Sequence, residues 1–119
     1  MNKSFSIHSG GHRDCLGISL RGSCSTPDEA AHLEQATQRL LARRPRSLWV
    51  DCRQLLDLSL SGQRTLLRTE TLARAAGVVC YYCGLSGHVL SQLASTGLPQ
   101  LLQLRPASGF EGPRFILPD

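Results

Sequence analysis

The sequence predicts a single α/β domain: a mixed sheet of four to five strands packed with three or more helices. Three observations carry this reading. Two alternating segments near the N-terminus, joined by a Gly-rich link, pattern as an antiparallel pair. Two later short apolar segments, 47–51 and 78–83, each lie between helical stretches, as buried parallel strands do. The resulting order, β-β-α-β-α-β-α, implies parallel strands joined by right-handed crossovers, with the first hairpin making the sheet mixed.

The elements follow in order. Residues 4–8 alternate, with Phe5 and Ile7 apolar between Ser4, Ser6 and His8. Gly10-Gly11 reads as a turn, and a second alternating strand follows with Leu16, Ile18 and Leu20 on one face, ended by Gly22-Ser23. Thr26-Pro27-Asp28-Glu29 is a helix start: Thr26 caps, Pro27 fits the first position and Glu29 completes a capping box. Ala30, Leu33, Thr37, Leu40 and Leu41 form the apolar stripe of that helix, which Pro45 stops. Ser47–Asp51 is the first buried strand, Leu55–Leu60 a loop, and Gly62–Ala76 a helix offering Leu66, Leu67, Ala73 and Ala76 to the core before Gly77 terminates it. Val78–Cys83 is the next strand. A third helix spans 85–95 with Val89, Leu90, Leu93 and Ala94, closed by Gly97, and Gln100–Leu104 is a final edge strand. The tail from Arg105 carries several prolines and glycines and reads as irregular, with Phe115-Ile116-Leu117 available to fold back as an anchor.

Composition narrows the function classes. A chain of 119 residues buries about two-thirds of its unfolded surface and needs no disulfide or metal staple. One Trp, two Tyr and three Phe leave the core to Leu, Val and Ala. No run of ~18 apolar residues exists to span a membrane, and residues 1–8 lack the apolar core of a signal peptide, so a cytoplasmic location is the default expectation. Five cysteines, an odd count, argue for free thiols. Cys80 and Cys83 have CxxC spacing, but on a strand residues three apart face opposite sides, which weighs against a redox or metal pair. Net charge is +4, and all 13 basic residues but Lys3 are arginine. Arg39, Arg43, Arg44 and Arg46 gather at one helix end, where cations also suit the helix dipole. A solvated helix end is the plain reading; nucleic-acid binding is the next, although no aromatic residues interleave with the arginines, and a docking surface for an acidic partner is a further alternative.

Nothing announces an enzyme. His8, His12, His32 and His88 have no spacing that signals a metal or a catalytic pair. There is no GxGxxG, no GxxxxGK[ST] and no GxSxG elbow, and no cofactor is implied. Asp51, Asp57 and Ser61 do lie near one strand-to-helix transition, where α/β sheets commonly bind ligands. Ser61 precedes the helix expected from Gly62. A hydroxyl there can cap the helix, meet a partner, or accept a phosphate that helix N–H groups and the dipole would stabilise.

Trp49-Val50-Asp51-Cys52-Arg53, then Ser59-Leu60-Ser61-Gly62-Gln63-Arg64-Thr65-Leu66-Leu67, then Leu72-Ala73-Arg74-Ala75-Ala76-Gly77-Val78-Val79 resembles the STAS domain of anti-sigma-factor antagonists. The run from Cys83 to Leu98 is similar to the family's next strand and helix. The resemblance covers about residues 3–104, so it implies a single STAS-like domain over 1–104 and a tail over 105–119. In that family the loop reads Asp-Ser-Ser-Gly or Asp-Ser-x-Gly, and the last serine or threonine before the glycine is phosphorylated by a partner anti-sigma kinase. The resemblance implies Ser61 as phosphoacceptor and Asp57, Ser59, Leu60, Ser61, Gly62 and Arg64 as the partner-binding surface. The implied partner is an anti-sigma factor or serine-kinase-like protein, with neither nucleic acid nor membrane insertion expected. The chain departs from the family at Ser59, where the aspartate stands, in its basic charge, and in lacking a closing amphipathic helix. The alternative the resemblance allows is a STAS subunit regulating a membrane transporter ATPase without phosphorylation.

Overall fold

The computed structural model describes residues 5–113 and, for residues 117–118, the backbone path. Strand β1 (Ser6–His12) pairs antiparallel with β2 (Cys15–Cys24), from Ser6↔Arg21 to His12↔Cys15. The turn expected at Gly10-Gly11 is instead made by Arg13 and Asp14, with Arg13 in the left-handed region at φ 50°. Gly11 serves close approach: a β-carbon there would stand 2.4 Å from the Cys15 carbonyl oxygen. Gly22-Ser23 likewise does not end the second strand. Pairing with the next strand shifts register between them and continues to Cys24, and the extra residue of this bulge, Leu56, is on the partner strand.

Thr26 caps α1 (Pro27–Ala42) through the expected capping box: its hydroxyl accepts from Glu29 N–H, and the Glu29 carboxylate accepts from Thr26 N–H. The anticipated stripe, Ala30, Leu33, Thr37, Leu40 and Leu41, is buried. Strand β3 (Ser47–Leu58) runs parallel to β2 and to β4 (Val79–Cys83). It is much longer than the expected 47–51, and Leu55–Leu58, most of the expected 55–60 loop, form its last third. Leu55 and Leu58 both point into the core although they are three apart, because the bulge leaves Leu56 unpaired and pointing out. Helix α2 (Leu60–Ala76) follows, and Gly77 ends it at φ 74° as expected. Within it Leu66 and Ala73 are buried, but Leu67 faces solvent rather than the core.

Helix α3 (Gly87–Leu93) extends as a 3-10 turn over Ala94–Thr96 to Gly97. Residues 98–101, expected in part to begin the edge strand, form a helical turn, α4 (Leu98–Leu101), and the strand β5 is the shorter Gln103–Arg105. A two-residue strand, β6 (Leu117–Pro118), pairs with β1. The sheet order is β5-β4-β3-β2-β1-β6.

Helices α1–α4 pack on one face of this sheet. Leu33, Leu66, Val89 and Leu98 share one cluster with Leu16, Ile18, Leu20, Leu48, Val50 and Tyr82. The opposite face carries Ser19, Arg21, Trp49, Asp51, Tyr81 and Cys83, the alternate residues of the same strands. β5 and β6 lie at opposite edges, and residues 106–113, with a single 3-10 turn at Ala107–Gly109, run over this face, which carries no α-helix among the described residues. Trp49 stacks on Tyr81 with ring centroids 4.3 Å apart, and Phe110 meets Trp49 edge-on at 5.8 Å. A β-carbon at Gly112 would lie 2.6 Å from Trp49 Cβ, so the tail backbone rests directly on the indole. Phe115 and Ile116, part of the expected anchor, lie outside the described residues.

Candidate functional site at the end of the third strand

The candidate residues gather where β3 hands the chain to α2. Pairing with β2 holds β3 extended to its last residue: Leu58 stands opposite Cys24, and Ser59 N–H donates to the Cys24 carbonyl at 2.9 Å. The helix therefore starts earlier than the sequence suggests, and its cap is Ser59, not Ser61. The Ser59 hydroxyl accepts from Gly62 N–H at 3.4 Å, and the Ser59 carbonyl takes the first helical hydrogen bond, from Gln63 N–H at 2.8 Å. Both serines could serve as caps. The strand's reach decides between them, because pairing with Cys24 holds the chain extended to Leu58 and makes Ser59 the first residue free to turn into the helix.

Gly62 then lies in the first helical turn, buried. A β-carbon there would sit 2.6 Å from Leu58 Cδ1 and 3.1 Å from Cys24 Sγ. Glycine is required because the helix start is pressed onto the end of the sheet. Gln63 strengthens the junction by donating from Nε2 to the Leu58 carbonyl at 3.0 Å. Ser61 is half-buried on this first turn, and its carbonyl accepts from the Thr65 hydroxyl at 3.1 Å. Leu60, by contrast, is 65% exposed.

Asp57 does not join this turn; it anchors neighbouring elements. Its Oδ2 accepts from the Ser23 hydroxyl at 3.0 Å, and its Oδ1 lies 2.7 Å from His88 Nε2 on α3. The hydrogen bonds from His88 and then Ser23 hold the Asp57 carboxyl below the usual carboxylate range. Gln92, also on α3, accepts from Leu58 N–H at 2.9 Å. Two α3 side chains thus fix the end of β3. His88 and Gln92 are the site residues that sequence reasoning did not assign; only their spacing of four on one helix face hinted that they act together.

A shallow apolar groove of about 160 Å³ opens beside the turn, lined by Leu60, Gln63, Arg64, Leu67, Leu98 and Leu101. Leu60 and Leu67 are seven apart and so share a helix face, and Leu67 and Leu101 are each 43% exposed. These leucines border one groove rather than lying scattered singly over the surface. Of the expected partner-binding set, Ser59, Leu60, Ser61 and Arg64 stand together at this turn, Gly62 is buried beneath it, and Asp57 faces α3.

Cys80 and Cys83 take opposite faces of the sheet, Cys80 beside Leu48 and Cys83 beside Asp51. Burial pushes the Cys80 thiol up to about 12 and raises Cys83 as well. That is the reverse of the lowered pKa a reactive CxxC thiol needs. No group of three or more potential metal ligands occurs among the described residues, and no helix among them is long and apolar enough to cross a membrane.

The fold is that of the anti-sigma-factor antagonists, the STAS architecture. An anti-sigma factor antagonist from Mycobacterium paratuberculosis superposes with a TM-score of 0.70 at 24% identity, over 85% of each chain. The anti-sigma factor antagonist SpoIIAA in its unphosphorylated form superposes with a TM-score of 0.64 at 18% identity, covering 89% of this chain and 90% of that one. No family model matches the sequence, and no curated protein matches it.

Proposed function

We propose that this chain is a non-enzymatic regulatory domain of the anti-sigma-factor-antagonist kind. It engages an anti-sigma factor or a related serine-kinase-like protein in the cytoplasm, through Ser59–Arg64 and the adjoining face of α2. One observation carries the reading: on a fold shared with solved antagonists, the half-exposed Ser61 is bordered by an uncovered leucine surface, Leu60, Leu67 and Leu101. Those leucines supply the apolar contact a partner needs, and Ser61 supplies the control.

The chemistry of the turn supports Ser61 as phosphoacceptor. Leu60 and Ser61 are the first two helical residues, so their N–H groups have no partner within the helix. A phosphate on Ser61 lies near these donors and the positive end of the helix dipole, which the fold tolerates. It also places up to two negative charges beside Leu60 and weakens a partner contact centred there. Ser59 already caps the helix, so Ser61 is not needed for that task. Phosphorylation can then switch binding without unfolding the domain.

Affinity capture of the chain followed by mass spectrometry tests the partner. A histidine-kinase-like ATPase supports the proposal; an ABC-type transporter ATPase supports the transporter reading, which the serine in place of the loop aspartate favours. Incubation of the captured kinase with ATP is expected to add one phosphate, lost in Ser61→Ala. Leu60→Asp is expected to abolish capture while the thermal midpoint stays near that of the wild type.

A further inference from the structure

At the pole opposite this site, two turns are locked together and both present arginine. The β1–β2 turn carries Arg13 and Asp14. The segment between α1 and β3 carries Arg43, Arg44 and Arg46, with Arg39 one turn back on the helix. The Asp14 carbonyl accepts from Arg46 N–H at 2.8 Å and from Ser47 N–H at 3.0 Å, which fixes one turn against the other. All five arginines are exposed. Among the described residues, no carboxylate pairs with Arg13, Arg43, Arg44 or Arg46.

Two of these arginines occupy backbone positions that favour glycine. Arg13 has φ 50° and Arg44 has φ 48°. Arg44 follows the C-cap residue Arg43, the position where helices commonly end in a left-handed glycine. Arg13 sits in a two-residue hairpin turn, where Gly, Asn and Asp are preferred. An L-residue with a long side chain is held there at a backbone cost, twice, in neighbouring turns. Mutual repulsion of the unanswered charges adds to that cost. The positive ends of the side chains offset the negative C-terminus of α1, but that role needs neither Arg13 nor a left-handed Arg44.

We propose that this arginine pole is a second docking surface, and that its occupant is an acidic segment of a partner polypeptide. Arginine's planar fork pairs carboxylates bidentately, and the five arginines outnumber the one acid of these turns, Asp14. No Phe, Tyr or Trp stands in either turn to stack on bases. The two turns and the helix end together carry five arginines, fewer than the six to ten or so phosphate contacts of typical duplex binding. Because the knob lies at the N-terminal ends of β3 and β4, while Ser61 follows the C-terminal end of β3, both surfaces can be occupied together.

The test is a titration of the full chain, followed by amide NMR shifts, with a glutamate-rich decapeptide, a DNA duplex of about 15 base pairs and anionic lipid vesicles as probes. The peptide is expected to shift Arg13, Asp14, Arg43, Arg44 and Arg46, to leave Leu60–Arg64 unmoved, and to weaken as salt rises toward 0.2 M. The double variant Arg13→Gly, Arg44→Gly is expected to lose about tenfold in affinity, since two surface ion pairs contribute roughly that much. Its thermal midpoint is expected to hold or rise, because glycine relieves both left-handed positions. No shift at these amides, tighter binding of the duplex or the vesicles, or a lower midpoint in the double variant each overturns the proposal. Failure of the Ser61 experiments leaves it untouched, because neither probe nor variant involves that turn.

Discussion

His88 Nε2 lies 2.7 Å from Asp57 Oδ1, and this contact ties the N-terminal turn of α3 to the last residues of β3. The same carboxylate holds Ser23 of β2, so one side chain joins three elements at the edge of the candidate site. Asp57→Asn removes the charge from both contacts. The expected outcome is faster amide hydrogen exchange at Val89 and Leu90 with little change in Leu66, measured by NMR. Equal acceleration throughout the domain would show global destabilisation instead.

Acid stability follows from three carboxylates. Asp57 is lowered by His88 and Ser23, and Glu29 chiefly by the Ser25 backbone N–H. Asp51 is raised by burial, but hydrogen bonds and charge from Arg53, helped by the Arg21 charge, outweigh that and lower it overall. A carboxylate depressed in the folded state contributes stability above its unfolded pKa, and loses it as pH falls through the folded value. Unfolding midpoints in urea are therefore expected to be flat near pH 6 and to fall below about pH 4. Asp51→Asn, which breaks the bonds from Arg53 Nε at 2.9 Å and Nη2 at 2.7 Å, is expected to be less stable at pH 6 and to lose less on acidification. An unchanged acid slope in that variant would remove Asp51 from the account.

The two serines of the turn separate by stability. Ser59→Ala removes the cap that accepts from Gly62 N–H and is expected to cost about 1 kcal/mol in chemical denaturation. Ser61→Ala is expected to be nearly neutral. Ser61→Asp places a negative charge in the first helical turn and is expected to leave stability level or raise it by about 0.5 kcal/mol. A large loss in Ser61→Ala with none in Ser59→Ala would reverse the assignment of the cap.

The order of strands and helices was legible because local signals and packing agree. Thr26-Pro27-Asp28-Glu29 forms the expected capping box, and Gly77 ends α2 in the expected left-handed conformation. Boundaries failed where partners outside the local sequence decide them. Leu55–Leu58 contains acidic and apolar residues in a pattern compatible with a loop, yet β2 extends it as strand by pairing Gly22 with Leu55 and Cys24 with Leu58. That extension moved the cap from Ser61 to Ser59 and freed Ser61. Helical spacing places Leu67 in the core, but the buried stripe of α2 runs through Thr65, Leu66, Thr69, Glu70 and Ala73, and Leu67 falls outside it. The site's position was therefore readable as a strand-to-helix junction. His88 and Gln92 were not, since they reach it through α3, some thirty residues further along the chain.

The tail's contribution rests on Phe110. The face opposite the α-helices presents Trp49 and Tyr81, a large apolar area that those helices do not cover. Phe110 lies against the indole, and the Arg53 guanidinium sits 5.8 Å from the Phe110 ring centroid. The strap thus covers an aromatic pair and is itself held by a cation from β3. Phe110→Ala leaves the rest of the strap in place but removes this contact, exposing one edge of the only tryptophan. The expected outcome is a red shift of tryptophan emission and easier acrylamide quenching, with a loss of about 1–3 kcal/mol because the position is half-buried rather than central. The Ser61 turn lies past the end of β3, away from Trp49, so partner capture is expected to be unchanged. Emission and quenching identical to those of the wild type would mean that Trp49 is shielded by Gly112 and Tyr81 alone, and that the strap holds its course across the sheet without its aromatic anchor.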